Sequence, residues 1–186
     1  PAIRKLAGIV AAADRFRFEY PAFHAEIYRQ LRFTPAEVAQ TRDGLDVRTL
    51  ALPPGGKLIT RCLRSWKLMR IGNQFGLSRL LTVPSRFSVL KSGAIGALFV
   101  KSPQRDQFVT AGRALQRCWL RATQEGLAIH PLGSLPILIA HAKLLGGARL
   151  HERHVQLARR LDRQFQELLP GESELPAATL ILLFRV

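Results

Sequence analysis

The sequence predicts an α+β domain, a mixed sheet covered by helices. Long stretches repeat apolar residues at every third or fourth position, the period of a helix with one buried face. Three short apolar runs, at 94–100, 127–130 and 177–186, are bounded by Gly, Ser or Pro and suit strands better than helices. These segments follow one another as helices, strand, helix, strand, helices, strand.

The first helix is expected over 3–17, where Ile3, Leu6, Ile9, Val10, Ala13 and Phe16 share a face. Pro21 breaks the chain, and a second helix is expected over 22–31, with Phe23, Ile27 and Leu31 spaced by four. Thr34-Pro35-Ala36-Glu37 reads as a capping box with proline at the first helical position, so a short helix begins there. Arg42-Asp43-Gly44 is a turn, and 45–52 an irregular or extended link ended by Pro53-Pro54-Gly55-Gly56.

Residues 57–75 read as one helix with a wide apolar face, followed by a break over 73–84 that holds one more short apolar element. The run 94–100 (AIGALFV) is expected to be a buried strand. A long amphipathic helix follows, capped by Ser102, with Pro103 first and Gly126 as its left-handed stop. Phe108, Ala111, Leu115, Cys118, Trp119 and Ala122 are its expected buried face. A strand over 127–130, a Gly133-Ser134 turn and a helix over 135–145 come next, punctuated by Gly146-Gly147. The segment 149–169 is a charged helix stopped at Pro170-Gly171, and 177–186 a strand buried on both faces.

The chain has 186 residues, 47% apolar and 22% charged, ordinary values for a domain with a full core. No apolar run reaches the roughly 18 residues needed to cross a bilayer, and no signal peptide is evident, so no membrane partner is expected. Cys62 and Cys118 fall in apolar helical segments and read as buried, reduced thiols of a cytoplasmic protein. The net charge of +15 invites a nucleic-acid reading. Yet arginine outnumbers lysine 22 to 6 and is scattered from Arg4 to Arg185, without zinc-knuckle spacing, an aromatic-glycine signature or a basic heptad region. A basic surface is the simpler reading, and nucleic acid is not the expected partner.

Catalytic signatures are sparse. There is no GxGxxG, P-loop, HExxH or CxxC. His151 and His154 are three apart on a charged helix but lack a third ligand, so a solvated face is expected and no metal site. His130 reads as a structural histidine bonded to backbone. Asp43 and Asp46, beside Arg42 and Arg48, read as neutralised surface carboxylates. Ser134 lacks the GxSxG setting of a hydrolase nucleophile. The residues alone thus indicate a ligand-binding α+β domain with no named reaction.

The segment AGRALQRCWLRATQEGLAIHPLGSLP resembles the nitroreductase superfamily of FMN-dependent NAD(P)H oxidoreductases. LRFTPAEVAQTRDGLDVRTLALP resembles its Acg-like subgroup, and LILLFRV the closing core strand. The resemblance covers nearly the whole chain. It implies a single nitroreductase-like domain over 1–186, an intimate homodimer with FMN at the interface, and hydride transfer from NAD(P)H through the flavin to a small-molecule acceptor. In that family, a turn after the strand gives backbone N–H groups to the flavin ring. By position this falls on Pro131, Leu132, Gly133 and Ser134. Many members have an acidic residue and then glycine there, and this chain has Gly133 and then Ser134. The family's arginine-serine-arginine motif for the FMN phosphate has no counterpart at the start of this sequence, which resembles the middle and C-terminal part of the family pattern. Both ends are therefore expected to be cut. Two other readings stay open: a non-catalytic relative that binds or sequesters flavin, and a basic nucleic-acid-binding module.

Overall fold

The computed structural model describes residues 2–50, 52–144, 146–147, 150–169 and 178–186. The protein is mixed α+β, with ten α-helices and five strands among these residues. The chain divides into two compact units. One comprises the chain up to Asp14 together with Val83–Val186, and the other Arg15–Thr82.

The first unit is built on a three-stranded sheet. Strands β3 (Ile95–Val100), β4 (His130–Leu132) and β5 (Thr179–Arg185) lie in the order β3-β5-β4, and both pairings are antiparallel. The central strand is therefore the last in sequence. A register shift falls between Leu98 and Phe99. Leu180 and Leu183 of β5 are buried and the remaining residues of that strand are half-buried, so the expected double-sided burial holds only at those two positions.

The helices of this unit follow from their apolar faces. The first turns of α1 (Ala2–Glu19) bury Leu6, Ile9, Val10 and Ala13 at the predicted helical spacing. Helix α7 (Val83–Leu90), which the sequence reading did not foresee, buries Val89. Helix α9 (Ser134–Leu144) buries Leu135, Leu138, Ile139 and Ala142, and packs on β5 and on α10 (Glu152–Gln166). The latter is strongly amphipathic, with Val155, Ala158, Leu161 and Phe165 inward. The Phe165 ring stacks at 6.4 Å on Phe99 of β3. The expected stop at Pro170-Gly171 lies outside the described residues.

Helix α8 (Arg105–Gln124) departs furthest from expectation. It starts two residues late, at Gln104 as cap rather than Ser102, and Gln104 makes no side-chain capping bond. Gly126, with φ of +71°, is the left-handed residue after its end, as predicted. Of its twenty residues only Ala111 is buried. Phe108, Cys118 and Trp119, assigned to a buried face, are exposed. The periodicity is real, but among the described residues of this unit no second layer covers the stripe.

The second unit is helical. In α2 (Pro21–Gln30), Pro21 serves as the first residue rather than as a break, since its missing N–H has no partner there in any case. A two-residue parallel bridge joins β1 (Leu31–Arg32) to β2 (Leu45–Asp46), and a 3-10 turn follows at Val47–Leu50. Tyr28, Phe33 and Val47 form a small core with Leu31, Leu50 and Leu63 against it.

Helix α3 (Pro35–Thr41) has the full capping box. Thr34 Oγ1 accepts from Glu37 N–H at 3.1 Å, and the Glu37 carboxylate accepts from the Thr34 and Phe33 N–H groups. The single helix expected over 57–75 is two, α4 (Gly56–Cys62) and α5 (Trp66–Gln74), separated at Leu63–Ser65. Buried His24 lies within hydrogen-bonding distance of the Leu63 carbonyl, its Nε2 2.8 Å from the oxygen, at the break. Helix α6 (Leu77–Leu81) completes the unit, and Ser78 Oγ donates to Glu19 at 2.8 Å.

Candidate functional site

The four residues singled out by sequence lie at the junction of β4 and α9. Strand β4 has one neighbour, with His130 opposite Arg185, Pro131 opposite Phe184 and Leu132 opposite Leu183. As an edge strand it can carry Pro131, whose nitrogen donates no ladder bond. The strand thus begins three residues later than the 127–130 expected and includes the proline. Leu132 is buried, Pro131 exposed, and Gly133 and Ser134 half-buried.

The Gly133 carbonyl accepts from Ile137 N–H at 3.0 Å, which makes Gly133 the residue at the helix entrance and Ser134 the first of α9. The amides of Ser134 and Leu135 then have no acceptor within the helix, and Pro136 has no amide hydrogen. What the turn presents is the amide of half-buried Ser134, with that of buried Leu135 behind it, at the positive end of a helix dipole. The helix itself is locked by Leu135 and Leu138, both almost fully buried. A methyl group built on Gly133 would meet only Ile137 Cδ1 at 3.5 Å, so the turn does not need glycine for space.

His130 flanks this turn at the surface. Partial desolvation, and then the Arg185 guanidinium, push its imidazole below the usual 6.5, and Asp14 opposes the shift. Its ring makes no hydrogen bond to backbone among the described residues, so the structural role expected for it is not the one found. The open apolar recess of this unit, about 530 Å³, is lined by Ile3, Leu6, Ile95, Phe165, Leu169 and Leu183 among others, and none of the four turn residues borders it.

The other candidates resolve as follows. Asp43 pairs with Arg32 at 2.5 Å rather than with Arg42, and Asp46 with Arg48 at 2.6 Å. These hydrogen-bonded guanidinium partners hold both carboxyls below the ordinary aspartate value. They are neutralised carboxylates, as expected. His151 and His154 have ring centroids 5.8 Å apart, but His154 is buried rather than solvated. No cluster of three metal-ligating side chains occurs among the described residues. Cys62 and Cys118 are free thiols, as expected, yet both are exposed.

An arginine face went unnoticed in the sequence. Arg153, Arg159, Arg160 and Arg163 of α10 surround a surface recess of about 480 Å³. Their 3-and-4 spacing on a helix whose opposite side is apolar was the available signal.

No family model matches the chain, and no solved structure matches it. An uncharacterized protein of Mycobacterium tuberculosis is 30% identical over 171 residues, which is 91% of this chain and 23% of that protein. The chain thus spans about a quarter of the length of the relative it matches.

Proposed function

We propose that this chain contributes one wall of the flavin site in an FMN-dependent oxidoreductase of nitroreductase type, which moves hydride from NAD(P)H through the flavin to a small-molecule acceptor. The observation that carries the reading is the turn between β4 and α9. Its Ser134 and Leu135 amides, which have no acceptor within the helix, suit the electron-rich edge of an isoalloxazine ring. Gly133 leaves that edge unobstructed, while Pro131 and buried Leu132 fix the approach of the chain. When bound, the flavin supplies the hydride chemistry, and the residues here bind and orient it. They fit the ring edge alone.

The resemblance also implies a homodimer with a nitroreductase fold, and α8 supports it. Most of a helix's stability in a protein comes from tertiary packing of its apolar face. This one buries a single residue and exposes Phe108, Val109, Trp119 and Leu120. A second copy is the occupant that the family pattern supplies.

The full-length polypeptide tests the reading. Purified protein should be yellow, or should take up added FMN, and should oxidise NAD(P)H. Ser134→Pro removes one amide donor at a position where proline suits a helix start. It should keep the fold and weaken FMN binding by about two- to tenfold, the net worth of one hydrogen bond. Protein that takes up no flavin, or a Ser134→Pro variant with unchanged affinity, refutes the proposal.

A further inference from the structure

Between Asp46 and Asp106 the chain contains no aspartate or glutamate, while Arg48, Lys57, Arg61, Arg64, Lys67, Arg70, Arg79, Arg86, Lys91, Lys101 and Arg105 all fall there. Within this acid-free stretch α5 has two apolar faces. One is consumed by packing. Met69 is fully buried, and the Trp66 ring meets His24 edge-on at 5.2 Å. The other is a ridge of Leu68, Ile71 and, just past the helix end, the C-cap residue Phe75, at 3-and-4 spacing and exposed by 50%, 51% and 86%. Lys67 and Arg70 flank the ridge, and neither has a carboxylate partner among the described residues. Leu58 and Ile59 of α4 and Leu80 of α6 are also exposed.

We propose that this face of α5 seats the protein on an anionic lipid surface, with Leu68, Ile71 and Phe75 entering the headgroup–acyl boundary and Lys67 and Arg70 on lipid phosphates. Large apolar side chains beside unpaired cations on one helix are the composition of an interfacial anchor. Charge selects the occupant. A second copy docked through the same face would set Lys67 and Arg70 against their own equivalents, with no carboxylate nearby in sequence to relieve them. The ridge stands out as a helix edge rather than a groove, and a fluid bilayer accepts such a shape without a complementary surface. Peripheral attachment needs no spanning helix, and none of the described helices is long and apolar enough to cross a membrane. This inference does not rest on the flavin reading.

The test is flotation of the full-length polypeptide with vesicles of phosphatidylcholine alone and of phosphatidylcholine containing roughly one-third phosphatidylglycerol, a typical anionic surface. Binding is expected only to the anionic vesicles and should weaken as salt rises. Two variants are compared, Leu68→Gln/Ile71→Gln/Phe75→Ser and Lys67→Glu/Arg70→Glu. Each should lose at least about tenfold in vesicle affinity, because both apolar insertion and charge are required. Melting temperature should stay the same, as expected for exposed positions. Absence of binding to either vesicle overturns the proposal, as does binding that survives both variants. A fall in melting temperature or a change in sedimentation caused by the apolar variant also overturns it, because the ridge would then be covered by protein.

Discussion

Gly96 in β3 leaves little room for a side chain, and it yields a quantitative prediction. Gly96 stands opposite Phe184 across the β3–β5 pair, and the Phe184 ring lies over it. A Cβ on residue 96 would sit 2.2, 2.5 and 2.8 Å from three ring carbons. Ordinary contact begins at 3.4 Å, so the ring would have to retreat by about 1 Å. On the other side of β5, Phe184 stands opposite Pro131. Overpacking of this kind costs about 1–3 kcal/mol. Replacing glycine within a strand returns about 0.5–1 kcal/mol. Gly96→Ala should therefore lose about 1–2 kcal/mol net, read as an earlier urea midpoint at unchanged m-value. Trimming the ring should relieve the clash, so Gly96→Ala/Phe184→Leu should be more stable than the sum of its single changes by at least about 0.5 kcal/mol. If Gly96→Ala is as stable as the parent, or the two changes simply add, the ring does not occupy the place described.

Two further predictions concern the helical unit and the thiols. Thr34→Ala should cost about 1 kcal/mol in denaturant unfolding through loss of the α3 cap, and an unchanged midpoint would show that the cap contributes nothing. The Glu37 carboxyl is held below its ordinary 4.5, chiefly by the Phe33 amide. Because the folded value is the lower one, its stabilisation is complete above about 4.5 and is lost as pH falls through the folded value. Glu37→Gln should therefore flatten the acid limb of the stability curve, and an identical limb would refute the assignment. Exposed Cys62 and Cys118 should both react with a thiol reagent within seconds in native buffer, and a requirement for denaturant would place them inside an assembly.

What could be read from the sequence followed from local chemistry. The Thr34–Glu37 box, the Gly126 stop and the order of β3, α8, β4, α9, α10 and β5 each depend on residues close together in the chain, and each is present, whereas β1, β2 and α7 were not expected. The gap at Leu63–Ser65 was hidden because the apolar period runs on through it, and only the buried His24, far back in sequence, meets the carbonyl there. Exposure of the α8 stripe was equally unreadable. A helical period says that a face is apolar, and only tertiary packing says whether anything covers it. Both thiols were misplaced for that reason. At the candidate site the residues were found by likeness to a family, while the amide donors that give them meaning belong to the backbone and leave no mark in side-chain chemistry.

The strand order β3-β5-β4 has a consequence for how the molecule comes into being. Among the described residues β3 and β4 do not pair with each other and each pairs only with β5, which is made after every other strand and helix described. During synthesis, β3 and β4 emerge with their edges bare and must wait, while the helical unit of residues 15–82 already has all its internal partners. Ordering of the first unit is thus tied to closure of long loops, a slow step that leaves two unpaired edges open to wrong partners meanwhile. Pro131 and the bend at Gly133 sit on one of those edges, so the segment proposed to face the cofactor is also among the last to acquire its shape.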